Sequence, residues 1–133
     1  MIVSSPAEHS TAVVARYLDR LVAHDWAGAS ACLADGIVRV GPFGDTYEGR
    51  EPYVAFLSEL MPTLSGYAMR IDRILAAAPD AGGAAATVIA ELTETVEMDG
   101  APVATPEVLV FDLDADGRIA HIAIYIQHGG RAG

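Results

Sequence analysis

Long extended segments in the second half of the chain are the feature that most constrains its fold. From Tyr67 onward, runs rich in β-type residues alternate with "PDAGG", "DG" and "DADG", which are typical of hairpin turns. Short turns of this kind join neighbouring antiparallel strands, so the pattern predicts an antiparallel meander. Residues 84–98 form a run longer than an ordinary strand, and we expect it to bend or to carry a bulge.

The first half of the chain has helical periodicity. "SPAE", at residues 5–8, is a capping box with Pro6 in the first helical position, and the apolar residues that follow share one helix face that includes Tyr17. A second helix through the alanines to Leu33 is expected to stop at "ADG", and a third, "EPYVAFLSELM", at Pro62. The short extended pieces "IVRV" and "TYEG" lie between these two helices. The order predicts a single α+β domain spanning residues 1–133, with three N-terminal helices on one face of a curved sheet.

Composition excludes several kinds of partner. The 133 residues carry 8 Lys and Arg against 18 Asp and Glu, a net charge of −10 that argues against nucleic acid or an anionic membrane. Cys32 is the only cysteine, which excludes an intramolecular disulfide and fits a reducing cytoplasm. No apolar run approaches the roughly 18 residues that a membrane helix needs. The histidines lack metal-ligand spacing, so we expect a cytoplasmic protein without a metal or cofactor.

The "DG" turn fixes a pairing register. If Asp99 and Gly100 form a two-residue turn, Glu94 lies opposite Thr105, and Leu92 lies opposite Glu107. Paired residues share a face of the sheet.

The "DADG" turn extends the count to the last strand. Pairing Asp114 with Gly117 places Leu109 opposite Ile122, and it places Glu107 opposite Ile124. One face is then mainly apolar, and its members on the three strands are Leu92, Glu94, Val96 and Met98, then Val103, Thr105, Glu107, Leu109 and Phe111, then Ala120, Ile122, Ile124 and Ile126. The other face is polar, with aliphatic patches at Val108 and Val110 that suit a dimer contact.

Glu94 and Glu107 are the acidic exceptions on the apolar face, roughly 7–8 Å apart at Cβ because they are diagonal neighbours. A buried carboxylate is costly, so it is usually paired, protonated or close to water in a cavity. Two nearby carboxyl groups also push their pKa values apart, which suits one as an acid and the other as a base. The alternative is a one-residue bulge that turns either glutamate to solvent.

Two segments resemble a known family. "AEHSTAVVARYLDRLVAHDWAGASACLADGIVRVGPFGD" is similar to the opening helices and first strand of ketosteroid isomerase, and "DADGRIAHIAIYI" resembles its last hairpin. Ketosteroid isomerase belongs to the nuclear transport factor 2 superfamily, with SnoaL-like polyketide cyclases and limonene-epoxide hydrolases. The resemblance implies a cone-shaped, cystatin-like curved sheet closed by three helices. It also implies a deep apolar pocket and a homodimer through the outer sheet face.

The resemblance carries over only in part to the catalytic residues of ketosteroid isomerase. Its first-helix tyrosine, which stabilises the enolate, matches Tyr17. The position of its general-base aspartate is occupied by Gly41, and that of its second oxyanion donor falls near Val108 or Leu109, and at Leu109 by the count of sheet faces. A phenol alone does not move a proton between two carbons, so we do not expect the ketosteroid isomerase reaction itself.

Arg39 lies two residues before Gly41, on the same strand face as the missing base. An arginine beside Glu94 or Glu107 resembles the Asp-Arg-Asp arrangement of limonene-epoxide hydrolases. The alternative is a solvated residue, which is the commoner state of an arginine in a short exposed strand.

These observations predict a SnoaL-like isomerase or cyclase for an apolar polyketide-, terpenoid- or steroid-like molecule. Tyr17 donates a hydrogen bond to a substrate oxygen while Glu94 and Glu107 exchange the proton. The predicted substrate-binding residues are Arg39, Phe56, Met61, Leu92, Val96, Leu109, Phe111, Ile122, Ile124 and Ile126. The alternatives are a non-catalytic module for hydrophobic ligands or dimerisation and, more weakly, an epoxide hydrolase of the limonene-epoxide hydrolase type.

Overall fold

The computed structural model describes residues 6–77 and 85–127. Three helices, one 3₁₀ turn and six strands are assigned there: α1 (Pro6–Val22), α2 (Trp26–Ala31), β1 (Leu33–Val40), β2 (Thr46–Glu48), α3 (Arg50–Leu60), the 3₁₀ turn (Met61–Thr63), β3 (Ala68–Ala77), β4 (Ala86–Met98), β5 (Ala101–Leu113) and β6 (Ile119–Ile126). The serine of the expected capping box and the "PDAGG" turn lie outside the described residues.

The described strands form one open sheet in the order β2-β1-β6-β5-β4-β3. Strands β3 to β6 are consecutive antiparallel neighbours, which confirms the predicted meander, and β1 joins it parallel to β6. The helices supply Val14, Leu18 and Leu57 to a core that also buries Leu92 and Phe111 of the sheet. The α+β class is therefore confirmed, with the core between the helices and one sheet face.

The β4–β5 hairpin follows the predicted register. Asp99 and Gly100 both have positive φ, 53° and 80°, as a two-residue turn of this hand requires. Glu94 lies opposite Thr105, and Leu92 lies opposite Glu107. The pairing continues without a shift along β4, so both glutamates keep the apolar face.

The bulge expected in β4 lies instead in its neighbour. The β3–β4 register shifts between Ile71 and Arg73, which leaves Asp72 as the extra residue. Strand β3 is at the edge of the described sheet, where an extra residue disrupts only one ladder. The Asp72 carboxylate accepts hydrogen bonds from Arg70 and Thr93, which fix the irregular segment.

The predicted β5–β6 pairing was wrong by two residues. Leu109 lies opposite Ile124 rather than Ile122, and Glu107 lies opposite Ile126. A shift of two residues preserves the face, because side chains alternate with a period of two.

Two one-residue irregularities make up this difference. The Asp114 N–H donates to the Arg118 carbonyl at 2.8 Å, so the turn is one residue longer than a count from Asp114 to Gly117 assumes. Gly117 has φ of 80°, as the last residue of such a three-residue turn requires. A second shift follows between Asp112 and Leu113. The start of β6 is therefore displaced, and Ile119 is buried where Ala120 was expected.

The "ADG" segment is not the end of a helix. Helix α2 ends at Ala31, and β1 begins at Leu33, which is fully buried and pairs with Ile119. The "ADG" residues fall within the register shift between Leu33 and Val38. Burial of Leu33 in the sheet thus outweighs the local preference for a glycine cap.

Candidate functional site

A cavity of about 140 Å³ lies between the helices and the apolar sheet face. Most of its wall is aliphatic or aromatic, from α1, α3, the 3₁₀ turn and the sheet. Five polar or ionisable side chains face it: Tyr17, Arg39, Tyr53, Glu94 and Glu107. Convergent polar groups in an apolar cavity are the usual composition of a small-molecule site.

Glu94 and Glu107 meet inside this cavity. The Tyr67 hydroxyl donates to the Glu94 carboxylate, and the carboxyl groups of Glu94 and Glu107 are hydrogen-bonded to each other. Glu107 is 9% exposed, and burial, followed by the hydrogen bond and charge of Glu94, raises the pKa of Glu107 to about 9. Glu107 is therefore protonated near pH 7, and the pair carries one proton and one negative charge.

Two tyrosines from different helices form a second hydrogen-bonded pair. The hydroxyl oxygens of Tyr17 on α1 and Tyr53 on α3 are 2.7 Å apart. Burial raises the pKa of both phenols, so each keeps its proton at neutral pH. One bond between two hydroxyl groups uses one hydrogen, which leaves the other as a donor for a ligand.

Arg39 is buried rather than solvated. Its side chain is 11% exposed, and Nη1 lies 2.6 Å from Oδ2 of Asp45. The guanidinium carbon is 5.4 Å from the ring centre of Phe56, 5.9 Å from that of Tyr53 and 6.0 Å from that of Tyr47. The alternative of a solvated Arg39 was wrong, because these rings shield the side chain from water, and the sequence of the strand does not show that they do so. Its ion pair is with Asp45, rather than with either glutamate.

A family model, described as a SnoaL-like domain, matches residues 14–122. The chain belongs to the SnoaL-like family. This family lies within the nuclear transport factor 2-like superfamily, as the resemblance predicted. No curated protein matches the chain significantly.

Solved structures with the same fold share little sequence with this SnoaL-like domain. A candidate ketosteroid isomerase from Kribbella flavida DSM 17836 superposes with a TM-score of 0.77 at 18% identity, covering 96% of this chain and 84% of its own. An LEH-like epoxide hydrolase from M. tuberculosis has a TM-score of 0.75 at 24% identity, with 92% and 86% covered. A candidate SnoaL-like polyketide cyclase from Jannaschia sp. CCS1 has a TM-score of 0.74 at 18% identity, with 96% and 92% covered. At these identities the likeness establishes the fold.

Nine of the predicted site residues line the cavity. The three expected to be catalytic, Tyr17, Glu94 and Glu107, line it together. So do Arg39, Phe56, Met61, Leu92, Leu109 and Ile124 of the predicted substrate-binding set.

The remaining four predicted residues lie outside the cavity wall. Phe111 and Ile122 face each other in the sheet and are fully buried in the core. Val96 is half-buried further along β4, and Ile126 borders a separate open depression of about 420 Å³. Of the five polar or ionisable cavity groups, that depression touches Glu107 alone. Residues that share the apolar face of the sheet therefore do not all line the cavity.

Sequence reasoning missed Tyr53, Tyr67 and Asp45. Tyr53 was detectable, because it lies three residues before the predicted pocket residue Phe56 on the same helix. Tyr67 precedes β3, and Asp45 lies in a turn, so neither has a periodic neighbour that indicates its direction. In the described part of the chain, no three His, Cys, Asp or Glu residues are grouped to hold a metal. No helix there is long and apolar enough to cross a membrane.

Proposed function

We propose that this SnoaL-like domain is an acid/base enzyme that isomerises or cyclises a small apolar molecule containing an oxygen atom. The observation that carries the proposal is the Glu94–Glu107 pair, which holds one shared proton inside an apolar cavity. Such a pair provides an acid and a base together at neutral pH.

The residues suggest a proton-transfer sequence. A substrate carbonyl oxygen accepts the unused hydrogen of the Tyr17–Tyr53 pair, and the charged carboxylate removes a proton from the adjacent carbon. The electrons of the C–H bond move onto the oxygen, where the phenol stabilises the enolate. The protonated carboxyl group then delivers its proton to another carbon, and the first carboxyl group passes the proton that it removed to the second, which restores the starting state of the pair. No net proton, electron or co-reactant is consumed.

The cavity size narrows the range of substrates. Ligand pockets commonly measure about 300–1,000 Å³, and a cavity of about 150 Å³ holds one benzene molecule. A cavity of about 140 Å³ therefore favours a substrate with a single ring over a steroid with four fused rings.

Isomerisation of 3-cyclohexenone to the conjugated 2-cyclohexenone tests this proposal, because the product absorbs more strongly in the ultraviolet. Glu94→Gln is expected to lower kcat by ~100-fold or more, as loss of a general base does. Glu48→Gln removes an exposed carboxylate on β2 and serves as the matched control. Unchanged turnover in the Glu94→Gln, Glu107→Gln double variant contradicts the acid/base role. Binding without turnover, indifferent to either glutamate, supports the non-catalytic module instead.

Epoxide opening is the second candidate, and burial of Arg39 favours it. A solvated arginine contradicts that reaction, whereas Arg39 lines the same cavity as the two glutamates. Here the protonated carboxyl group donates to the epoxide oxygen while the charged one activates water. This reaction is supported if the protein converts cyclohexene oxide to the diol and the Arg39→Gln variant does not. It is rejected if the protein isomerises the ketone but forms no diol.

A homodimer through the outer sheet face is a further part of the proposal. Val108 and Val110 are half-buried there, and Tyr125 is 62% exposed. Exposed aromatic and aliphatic groups of this kind are common at homodimer interfaces. Light scattering of Tyr125→Glu against the parent tests this assembly, because a charge at the interface centre dissociates the dimer.

A further inference from the structure

The turn between β1 and β2 folds Asp45 back against Gly41. The Gly41 N–H donates to the Asp45 carbonyl at 2.7 Å, and the Gly44 N–H donates to the Gly41 carbonyl at 3.1 Å. A Cβ atom on Gly41 would lie 2.4 Å from Oδ1 of Asp45 and 2.6 Å from Nη1 of Arg39. The Arg39–Asp45 ion pair therefore occupies the space into which a side chain at position 41 would project.

This ion pair leaves part of Arg39 available to a ligand. Nη1 contacts Asp45, whereas the buried Nε has no hydrogen-bond partner among the described residues. An unpaired buried N–H is costly, and a ligand oxygen in the cavity that Arg39 lines would satisfy it.

The charges around the cavity select the chemistry of that oxygen. Asp45 already compensates the charge of Arg39, and the Glu94–Glu107 pair adds a further negative charge. An anionic ligand would be repelled by the uncompensated charge of the glutamate pair, so the free N–H suits an uncharged acceptor such as a ketone, amide or epoxide oxygen.

We propose that Asp45 is a positioning residue, which holds the Arg39 guanidinium over the cavity so that its Nε–H binds an uncharged oxygen of the substrate. This inference rests on the proposed function in treating the cavity as the substrate site. Asp45 itself is half-exposed and paired, and it takes no part in proton transfer.

The positioning role is tested without turnover, with Asp45→Asn and with Gly41→Ala, whose methyl group enters the space of the ion pair. Asp35→Asn is the matched control, because Asp35 is an exposed carboxylate 2.7 Å from Nη2 of Arg50. Circular dichroism and thermal unfolding first establish that each variant is folded. The readouts are the NMR signal of the Arg39 Nε–H and the pKa of Glu107, followed by its carboxyl ¹³C shift.

The direction of the Glu107 titration separates the outcomes. Glu107 is surrounded by Glu94 on β4, Arg39 on β1, and three tyrosines. These are Tyr17 on α1, Tyr53 on α3 and Tyr67 before β3. If Arg39 leaves its place in both variants, its Nε–H exchanges faster with water and the pKa of Glu107 rises, because a nearby positive charge is lost. Asp35→Asn leaves both signals unchanged. A fall or no change in Asp45→Asn means that Arg39 has stayed, and it overturns the positioning role.

The ligand part is tested with benzamide and benzoate, which have nearly the same shape but differ in charge. In the parent protein, benzamide is expected to shift the Arg39 Nε–H signal and to bind at least about tenfold more tightly than benzoate. Benzoate binding as tightly, or benzamide shifting cavity methyl signals but not Nε–H, overturns the assignment. Both tests measure binding or titration and need no turnover. A protein that shows no catalytic activity therefore contradicts the proposed function but not the positioning role of Asp45.

Discussion

Replacing Glu107 by glutamine is expected to stabilise the protein at neutral pH and to reduce the pH dependence of its stability. Glu107 has an ordinary pKa of 4.5 and a folded-state pKa of about 9, raised first by burial and then by Glu94. The folded state therefore binds more protons than the unfolded state between these values. This contribution to stability is fully present below pH 4.5 and is lost as the pH rises to about 9.

The size of the effect follows from proton linkage. One pKa unit corresponds to about 1.4 kcal/mol, so keeping Glu107 protonated at pH 7 against an ordinary pKa of 4.5 costs about 3 kcal/mol. Water entering the cavity, together with the proton shared with Glu94, reduces this to on the order of 1–2 kcal/mol. Glutamine has the same shape, needs no proton and can still donate to Glu94, so Glu107→Gln recovers most of this free energy.

Urea titrations of parent and Glu107→Gln between pH 4.5 and pH 9, at one protein concentration, measure the difference. The two proteins are expected to differ little at the acidic end and to diverge as the pH rises. Glu48→Gln on the exposed edge strand is the control, with a change within about 0.5 kcal/mol. Parallel pH profiles for parent and Glu107→Gln, or a loss of stability at pH 7, refute the neutral buried carboxyl group.

Three further predictions concern other parts of the site. Tyr67→Phe removes the hydroxyl donor to Glu94 and is expected to lower the free energy of unfolding by about 1–2 kcal/mol, measured by urea titration. A double-mutant cycle of Tyr17→Phe and Tyr53→Phe is expected to give a coupling of about 1 kcal/mol, and strict additivity contradicts the hydrogen bond between them. Gly41→Asp, which introduces the carboxylate that ketosteroid isomerases have at this position, is expected to lower stability by ~2 kcal/mol and to leave ketone isomerisation no faster, because its Cβ collides with the ion pair. A stable, more active Gly41→Asp variant refutes that reasoning.

The accuracy of the register predictions depended on the turns. Asp99-Gly100 has one dominant geometry, so counting from it placed Glu94 and Glu107 correctly. "DADG" is compatible with turns of different length, and the sequence does not show that Asp114 bonds to Arg118. The apolar face was nevertheless read correctly along most of β6, because the two irregularities add to an even number.

The candidate site was less predictable than the strands that carry it. Periodicity reports which face a side chain occupies, but not which other element packs on that face. Arg39 looked solvated because its burial depends on Tyr47, Tyr53 and Phe56, which lie on β2 and α3. Tyr67 reaches Glu94 from a connecting segment without periodicity. Contacts of this kind form only when the helices close over the sheet.

Gly41 and the Arg39–Asp45 pair are best understood as one feature rather than two separate departures from ketosteroid isomerase. Any side chain at position 41 would collide with this pair, so the pair requires the glycine, and a glycine there cannot serve as the base that ketosteroid isomerases have at this position. Asp45 does not replace that base. Desolvation is the largest single influence and raises the pKa of its carboxyl group, but the hydrogen bond and charge of Arg39 together with backbone hydrogen bonds outweigh it and lower that pKa. A weaker base is a poorer proton acceptor at neutral pH. The proton transfer that we propose therefore depends on other carboxyl groups, and Glu94 and Glu107 are the pair that the cavity provides.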